Sequence, residues 1–432
     1  MLGRVRSTPL LLGNLEAALN SLAAAITVPF VVPYAVTLGA SPTEAGLIIA
    51  LPLLAVNLSQ IPAARWGAHS SHPRRFFLLS GGLARLAWPL LALLMLAGQA
   101  TIPALLLVAT AASVSSGLLL PVWTAFLAAQ VPAEGRGRYF GTRNLLGGLA
   151  TLVGTALAAY LVSLSGFTHG YGLALLLGTA ALLGGLAAQI LAVGVSGSWR
   201  SHALTSASHR DPSSWQIPAV RRYVAYGSLL ILGAGMSTPF YSVFFLQRLH
   251  GSPEMATTMI AVANAVAMLA QGLFGRILDR RGLAPVANGS LAIITVLPLL
   301  WLVAANPYQA VPIWLLNGLA WAAASMANLS LVLAISNERN RASVVAWLAV
   351  FQAPADFTAP LIGGILADRV DLPAVFLISS LVRLAAWRVF PICPSPTSPV
   401  PGRLASEGRG TPGPSRRSDR TAADTGRPPD RT

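Results

Sequence analysis

Long apolar runs broken by short polar stretches fill most of the chain, and about 20 apolar residues cross the hydrocarbon layer of a bilayer as a helix. By that rule the pattern predicts twelve spans. In the first half they run near residues 9–38, 44–66, 75–96, 102–130, 139–164 and 171–195. In the second half they run near 220–247, 254–277, 283–304, 311–335, 342–367 and 372–390. The pattern therefore divides the chain into helical halves at 1–195 and 220–390, a polar linker at 196–219, and a tail at 391–432. The tail is rich in Pro, Gly, Ser and Arg and cannot bury enough apolar surface to fold, so disorder is expected there. Its arginines could meet anionic lipid, although composition favours a solvated tail with no role. Residues 1–25 resemble a cleavable signal, but the apolar run continues to about residue 40, which predicts an uncleaved first helix.

Composition agrees with the pattern. Hydrophobic residues make up 54% and charged residues 10%, against roughly 25% charged in ordinary soluble domains. A soluble core could not hide that much apolar surface, so a lipid bilayer is the expected partner. Cys393 is the lone cysteine, which excludes internal disulfides and thiolate metal sites; no metal or other cofactor is expected. The net charge of +15 comes from arginine alone, because the chain has no lysine. These arginines lie in short loops and in the tail, which is a topology signal rather than a nucleic-acid footprint. Arg65, Arg74 and Arg75 follow span 2, Arg136, Arg138 and Arg143 follow span 4, and Arg200, Arg210, Arg221 and Arg222 surround the linker. Arg276, Arg280 and Arg281 follow span 8, and Arg339 and Arg341 follow span 10. The opposite loops are nearly uncharged, apart from Glu44, Arg248, Glu254, Asp368, Arg369 and Asp371. This bias predicts a multi-pass cell-membrane protein with both termini in the cytoplasm.

The two halves echo each other. Gln271 and Arg276 match Gln60 and Arg65 at an offset of 211, as Ser252-Pro253 matches Ser41-Pro42. Pro239-Phe240 matches Pro29-Phe30 at 210. An apolar chain that repeats at half its length is most simply a two-half membrane transporter. After span 8 comes Gly275-Arg-Ile-Leu-Asp279-Arg280-Arg281-Gly282, which resembles the loop signature Gly-x-x-x-Asp-Arg-x-Gly of the major facilitator superfamily. Pro132-Ala-Glu134-Gly-Arg136-Gly-Arg138 and Glu338-Arg339-Asn-Arg341 resemble the acidic-then-Arg loops after spans 4 and 10 of that family. Ala359-Pro360-Leu-Ile-Gly363-Gly364 in span 11 resembles its Gly-Pro-x-x-Gly-Gly. The likeness covers about residues 9–390. It implies an all-α membrane protein with twelve transmembrane helices in two pseudo-symmetric six-helix bundles. It also implies gating roles for Arg276, Asp279 and Arg280, and for Arg136, Arg138, Arg339 and Arg341. The first-half copy of the signature is degenerate: at the 211 offset Asp279 falls on Ala68, so a symmetric latch is not expected. His69 and His72 read as solvated loop residues, since no acid or cysteine accompanies them. Span 5 has Gly141, Gly147, Gly148 and Gly154 but no proline, which weakens a drug–proton antiporter reading and suggests close helix packing.

Ionisable groups within spans are costly and mark function. Glu16 and Asp356 are the candidate proton-coupling acids, because a carboxylate in a low-dielectric cavity can exchange a proton near neutral pH. The competing role for each is as an arginine partner holding helices together. Arg85 and Arg383 fall on helices that resemble outer supports in this family, so structural pairing or snorkelling is expected of them. The family's cavity helices would be spans 1, 4, 7 and 10. Candidate substrate-binding residues recur there at helical spacing: Asn20, Thr27 and Tyr34; Ser116 and Trp123; Ser237 and Tyr241; Asn317, Trp321 and Asn328. Helix–helix hydrogen bonding and interfacial aromatics would explain the same residues. Pro29, Pro33 and Pro239 are expected to bend spans 1 and 7 at matched places. Few fixed charges line these stripes, so a small neutral or amphipathic organic solute fits better than a phosphate.

The expected function is a monomeric secondary transporter working by alternating access, with the proton as a candidate second partner. Efflux and uptake of a sugar-like metabolite stay open, as does a non-transporting sensor or assembly partner of the same fold. An intramembrane enzyme is not expected, because the spans hold no His-Glu-x-x-His motif and no nucleophile–base pair.

Overall fold

The computed structural model describes residues 7–69, 73–131, 135–196, 212–337 and 340–391. Among them every regular element is helical, and twelve helices are long and apolar enough to cross a membrane. Spans 1 to 6 are Thr8–Thr37, Pro42–Ala63, Arg74–Leu96, Ile102–Gln130, Arg138–Ser165 and Phe167–Ser196. Spans 7 to 12 are Pro218–Gln247, Pro253–Arg281, Leu283–Val303, Pro307–Ile335, Ser343–Arg369 and Leu372–Val389. Lipid offers no partner for backbone amides, so helices that bond internally are the solution this composition forces. His72, Glu134, Glu338, Arg339, the tail from residue 392 and the linker at 197–211 lie outside what is described, as do the side chains of Arg65, Ala68, His69 and Arg136.

The two halves use one packing plan. Span 1 packs on spans 5 and 6, span 2 on span 4, span 3 on spans 4 and 6, and span 5 on span 6. Span 7 likewise packs on spans 11 and 12, span 8 on span 10, span 9 on spans 10 and 12, and span 11 on span 12. The halves meet where span 2 crosses span 11 and where span 5 crosses span 8. The internal echo of the sequence is thus an echo of structure.

Glycines set the closest crossings. A Cβ at Gly364 would come 2.7 Å from the Pro42 carbonyl oxygen, and one at Gly363 would strike the Met236 carbonyl. The Gly363-Gly364 pair therefore seats span 11 between spans 2 and 7. In span 5 a Cβ at Gly154 would lie 2.6 Å from the Leu22 carbonyl, so that glycine admits span 1, as small residues do in membrane helix contacts. Gly282, the last residue of the loop signature, has φ of +82° and turns the chain from span 8 straight into span 9.

The matched proline bends are found in one half only. Span 1 is interrupted by a 3-10 turn at Val28–Phe30, where Pro29 and Pro33 together remove two backbone donors within five residues. Span 7 holds Pro239 inside one uninterrupted helix, where a single missing donor is tolerated.

The acids that interrupt the uncharged loops all serve helix starts. Glu44 accepts from the Ser41 amide at 2.8 Å and Ser41 Oγ from the Glu44 amide at 3.2 Å, a capping box on span 2. Asp371 accepts from the Ala374 amide at span 12. Two more join the halves: Asp368 at the end of span 11 accepts from the Thr43 amide of span 2 at 2.9 Å, and Glu254 of span 8 accepts from the Phe167 amide of span 6 at 3.2 Å. A carboxylate at a helix N-terminus is favoured by the helix dipole. At the arginine-rich ends of spans 5 and 8, by contrast, Arg138, Arg276, Asp279 and Arg280 are exposed. A Cβ at Gly141, Gly272 or Gly275 would meet nothing within 4 Å there.

Asp368→Ala should loosen the span 2–span 11 crossing by roughly 1 kcal/mol, the usual value of a charge at a helix N-terminus. A thiol introduced by Thr43→Cys, in a Cys393→Ser background, should then react several-fold faster with a membrane-impermeant maleimide. An unchanged rate would mean that the Asp368 contact does not hold the crossing shut.

Candidate functional site

A cavity of about 840 Å³ opens within the first half, lined by residues from Glu16 to Gln189 on spans 1 to 6. Its wall is mostly apolar, with Ala24, Val31, Ile48, Leu53, Val56 and Leu120 among the contacts. At one place the wall is strongly polar, and Glu16 is the centre of it.

Glu16 is 3% exposed. Its Oε1 accepts from Asn20 Nδ2 at 2.5 Å and from Gln189 Nε2 at 3.1 Å. Its Oε2 accepts from Trp123 Nε1 at 2.7 Å and forms an ion pair with Arg143 Nη2 at 2.5 Å. Four donors from spans 1, 4, 5 and 6 thus fill the roughly four lone-pair sites of one carboxylate. Asn20 lies one turn beyond Glu16, so the two side chains share a face. Trp123 is fixed between Phe77, edge-on at 5.9 Å, and Phe126, stacked at 5.4 Å. Among the described residues Glu16–Arg143 is the one ion pair.

Arg85 of span 3 also lines the cavity and is 8% exposed. Its Nη2 reaches Asn20 Oδ1 at 3.4 Å, and its Nη1 is buried without a partner. The expectation that span 3 only supports the cavity from outside is corrected here, because span 3 faces the interior through Arg85 and Trp88. Three fixed charges, Glu16, Arg85 and Arg143, therefore stand in a wall expected to hold few. Arg143 was read as a loop residue after span 4, whereas it sits in the second turn of span 5. Its position inside the predicted span at 139–164 was the available signal. Gln189 gave none, because a lone amide in a glycine- and leucine-rich run has no distinguishing spacing.

The candidate binding residues divide between the halves. Asn20, Thr27, Ser116 and Trp123 line the cavity. The Thr27 and Ser116 hydroxyls already donate to the Ala23 and Ala112 carbonyls, so they offer lone pairs rather than protons. Tyr34 is buried away from it, packed on Phe167 and Tyr171. Ser237 and Tyr241 do not reach it either. Arg383, 1% exposed, donates to Ser237 Oγ at 2.6 Å, to Tyr241 Oη at 3.3 Å and to the Ile294 carbonyl at 2.8 Å. The expected structural role of Arg383 fits that closed cluster. Asn317, Trp321 and Asn328 of span 10 are half-buried outside this cavity. Asp356 is half-buried in span 11, also outside it. Among the gating candidates, Arg341 Nε approaches Ser336 Oγ at 3.4 Å, and Asp279 has no ion-pair partner among the described residues. No cluster of three His, Cys, Asp or Glu able to hold a metal occurs among the described residues.

Twelve apolar helices on a duplicated plan around an interior hollow define a membrane transporter fold. The chain belongs to the Major Facilitator Superfamily, whose sequence profile matches residues 17–360 and 225–417. Comparison with curated proteins returns no match. Solved structures with the same fold include a bacterial homologue of the human lysosomal transporter Spinster in an inward-facing and occupied conformation. It is 18% identical, with a TM-score of 0.62 over 90% of this chain and 97% of that one. The nucleoside transporter NupG is 13% identical, with a TM-score of 0.66 over 88% and 98%. A bacterial homologue of the iron transporter ferroportin in an inward-facing state is 15% identical, with a TM-score of 0.67 over 90% and 98%.

Glu16→Ala should destabilise the protein by roughly 3–5 kcal/mol, because it strands Arg143 in a low-dielectric wall and frees three further donors. Glu16→Gln should cost less, and adding Arg143→Gln to Glu16→Gln should recover part of the loss. Thermal unfolding in detergent checks the order. If Glu16→Ala unfolds at the wild-type temperature, the carboxylate does not hold these helices.

Proposed function

We propose that the protein is a secondary transporter of the cell membrane that moves a small amphipathic organic solute by alternating access. The observation that carries this reading is the cavity itself: a largely apolar hollow of about 840 Å³ with one polar cluster at Glu16. Apolar wall suits an apolar body, and a few fixed polar groups orient one polar end. The loop arginines favour both termini in the cytoplasm. On that orientation the halves are joined at the outer side, through Asp368–Thr43 and Glu254–Phe167, while Arg138, Arg276, Asp279 and Arg280 stay exposed at the inner ends of spans 5 and 8. Such an arrangement supports an inward-open state, and the loop Arg276, Asp279 and Arg280 would engage when the inner side closes. Asn20, Trp123 and Ser116 are the proposed solute contacts.

Coupling to protons rests on Asp356. Glu16 already accepts from four donors, one of them Arg143, and is committed to holding spans 1, 4, 5 and 6 together. Asp356 is half-buried in span 11 between Pro354 and Pro360 and has no ion-pair partner among the described residues, so it is the acid free to exchange. Efflux is the direction we favour, since an amphipathic solute can enter the cavity from the inner side.

Vesicle transport assays with amphipathic fluorescent solutes test the reading. Wild type should move solute faster than empty vesicles, with a rate that depends on an imposed pH gradient. Asp356→Asn should keep solute binding and lose the pH dependence, whereas Trp123→Ala should raise the half-saturating concentration at every pH. Transport equal to empty vesicles across the panel would favour a non-transporting member of the fold. Unchanged pH dependence in Asp356→Asn would remove that acid from coupling.

A further inference from the structure

We propose that the first-half cavity takes an organic monoanion with an apolar body, its anionic group held by Arg85. This rests on the reading of the cavity as the solute site and narrows it to one charge class.

The charges in the wall do not balance. Its charged residues are Glu16, Arg85 and Arg143, so two cations face one carboxylate. Glu16 is already saturated by Asn20, Gln189, Trp123 and Arg143, and no acceptor position is left for Arg85. Arg85 makes one long contact to Asn20 Oδ1, and its Nη1 finds no acceptor although the residue is 8% exposed. Arginine keeps its proton in proteins, so the group cannot relieve its burial by turning neutral. A buried cation without a counter-charge is expensive inside a membrane protein. The second half shows the alternative: Arg383, 1% exposed, has both Nη atoms held by two hydroxyls and a carbonyl, with only Nε unpartnered. Arg85 lacks that set. Arg85 lines the cavity, so an anion entering it would supply the counter-charge that the protein does not.

The rest of the wall sets the remainder of the ligand. Val28, Val31, Ile48, Leu53, Val56 and Leu120 offer no further cation, so a single negative charge neutralises the site and a second would be left unpaired. Carboxylates and sulfonates carried on an apolar body fit, whereas phosphate monoesters and polyanions do not. An amphipathic amine would place a third cation beside Arg85 and Arg143.

Three matched probes decide this: 2-naphthoate, 2-naphthamide and 2-naphthylmethylamine, titrated calorimetrically against the full chain in nanodiscs, with empty nanodiscs subtracted. The carboxylate should bind roughly tenfold more tightly than the amide, the usual gain for a charge-assisted contact, and the amine most weakly. Arg85→Gln should bring carboxylate and amide within about twofold by loss of that contact. Arg85→Lys should retain part of the preference. Equal or tighter binding of the amide or amine to wild type overturns the anion assignment and leaves the amphipathic-solute reading standing. A carboxylate preference that survives Arg85→Gln overturns the assignment of the anionic group to Arg85. No binding by any of the three overturns both.

Discussion

The Glu16 carboxylate lies where hydrocarbon would otherwise surround it, and an ion at that depth persists only if its oxygens are filled. Filling them draws Trp123, Arg143 and Gln189 from three other helices onto span 1. The hydrogen bonds are directional, so they fix the rotation of spans 4, 5 and 6 about their own axes, which apolar packing alone leaves loosely defined. Arg143 then has to come into the wall, and so does the aromatic cluster that holds the Trp123 indole. The shape and the polarity of the cavity are consequences of that single buried acid.

The second half repeats the helix packing without repeating this chemistry. Its buried ion is a cation, Arg383, and the groups that satisfy it are neutral. Ser379 closes the cluster by bonding Ser237 and the Gly233 carbonyl, and Tyr241 stacks on Trp301 at 5.2 Å. These neutral partners take both Arg383 Nη atoms and tie spans 7, 9 and 12 together, leaving Nε alone without a partner. A duplicated architecture thus carries a polar hollow in one copy and a buried hydrogen-bonded cluster around Arg383 in the other.

What the sequence disclosed follows from what each physical rule can see. Span length and apolar content report on one helix at a time, so the twelve spans were legible, and the offset of 211 between matched residues made the duplication legible too. The cost of intramembrane charge pointed to Glu16, Arg85 and Arg383 for the same reason. Which side of a helix faces which neighbour is a property of pairs of helices, and periodicity does not contain it. Tyr34, Ser237 and Tyr241 therefore fall on polar stripes that turn out to bind other helices, while Gln189 and Arg143 complete the site unannounced. Arg85 was assigned to an outer helix by family likeness, yet span 3 wedges between spans 4 and 6 and reaches inward.

The acids at the span ends explain why a hollow can be closed at one end. Glu44, Glu254, Asp368 and Asp371 all accept from amides at helix starts, and two of these contacts bridge the halves. Asp279, in the loop signature at the opposite end, stays exposed with Arg276 and Arg280. Helix-start amides are donors that remain unsatisfied unless something caps them, so the Asp368–Thr43 and Glu254–Phe167 contacts are a closure that costs little desolvation and releases easily. A buried ion pair across the same seam would be harder to open, because parting it would leave two charges in lipid. For the alternating access proposed above, surface contacts of about 1 kcal/mol each at the seam, with the strong pairing kept inside one half at Glu16, suit halves that part while each stays intact.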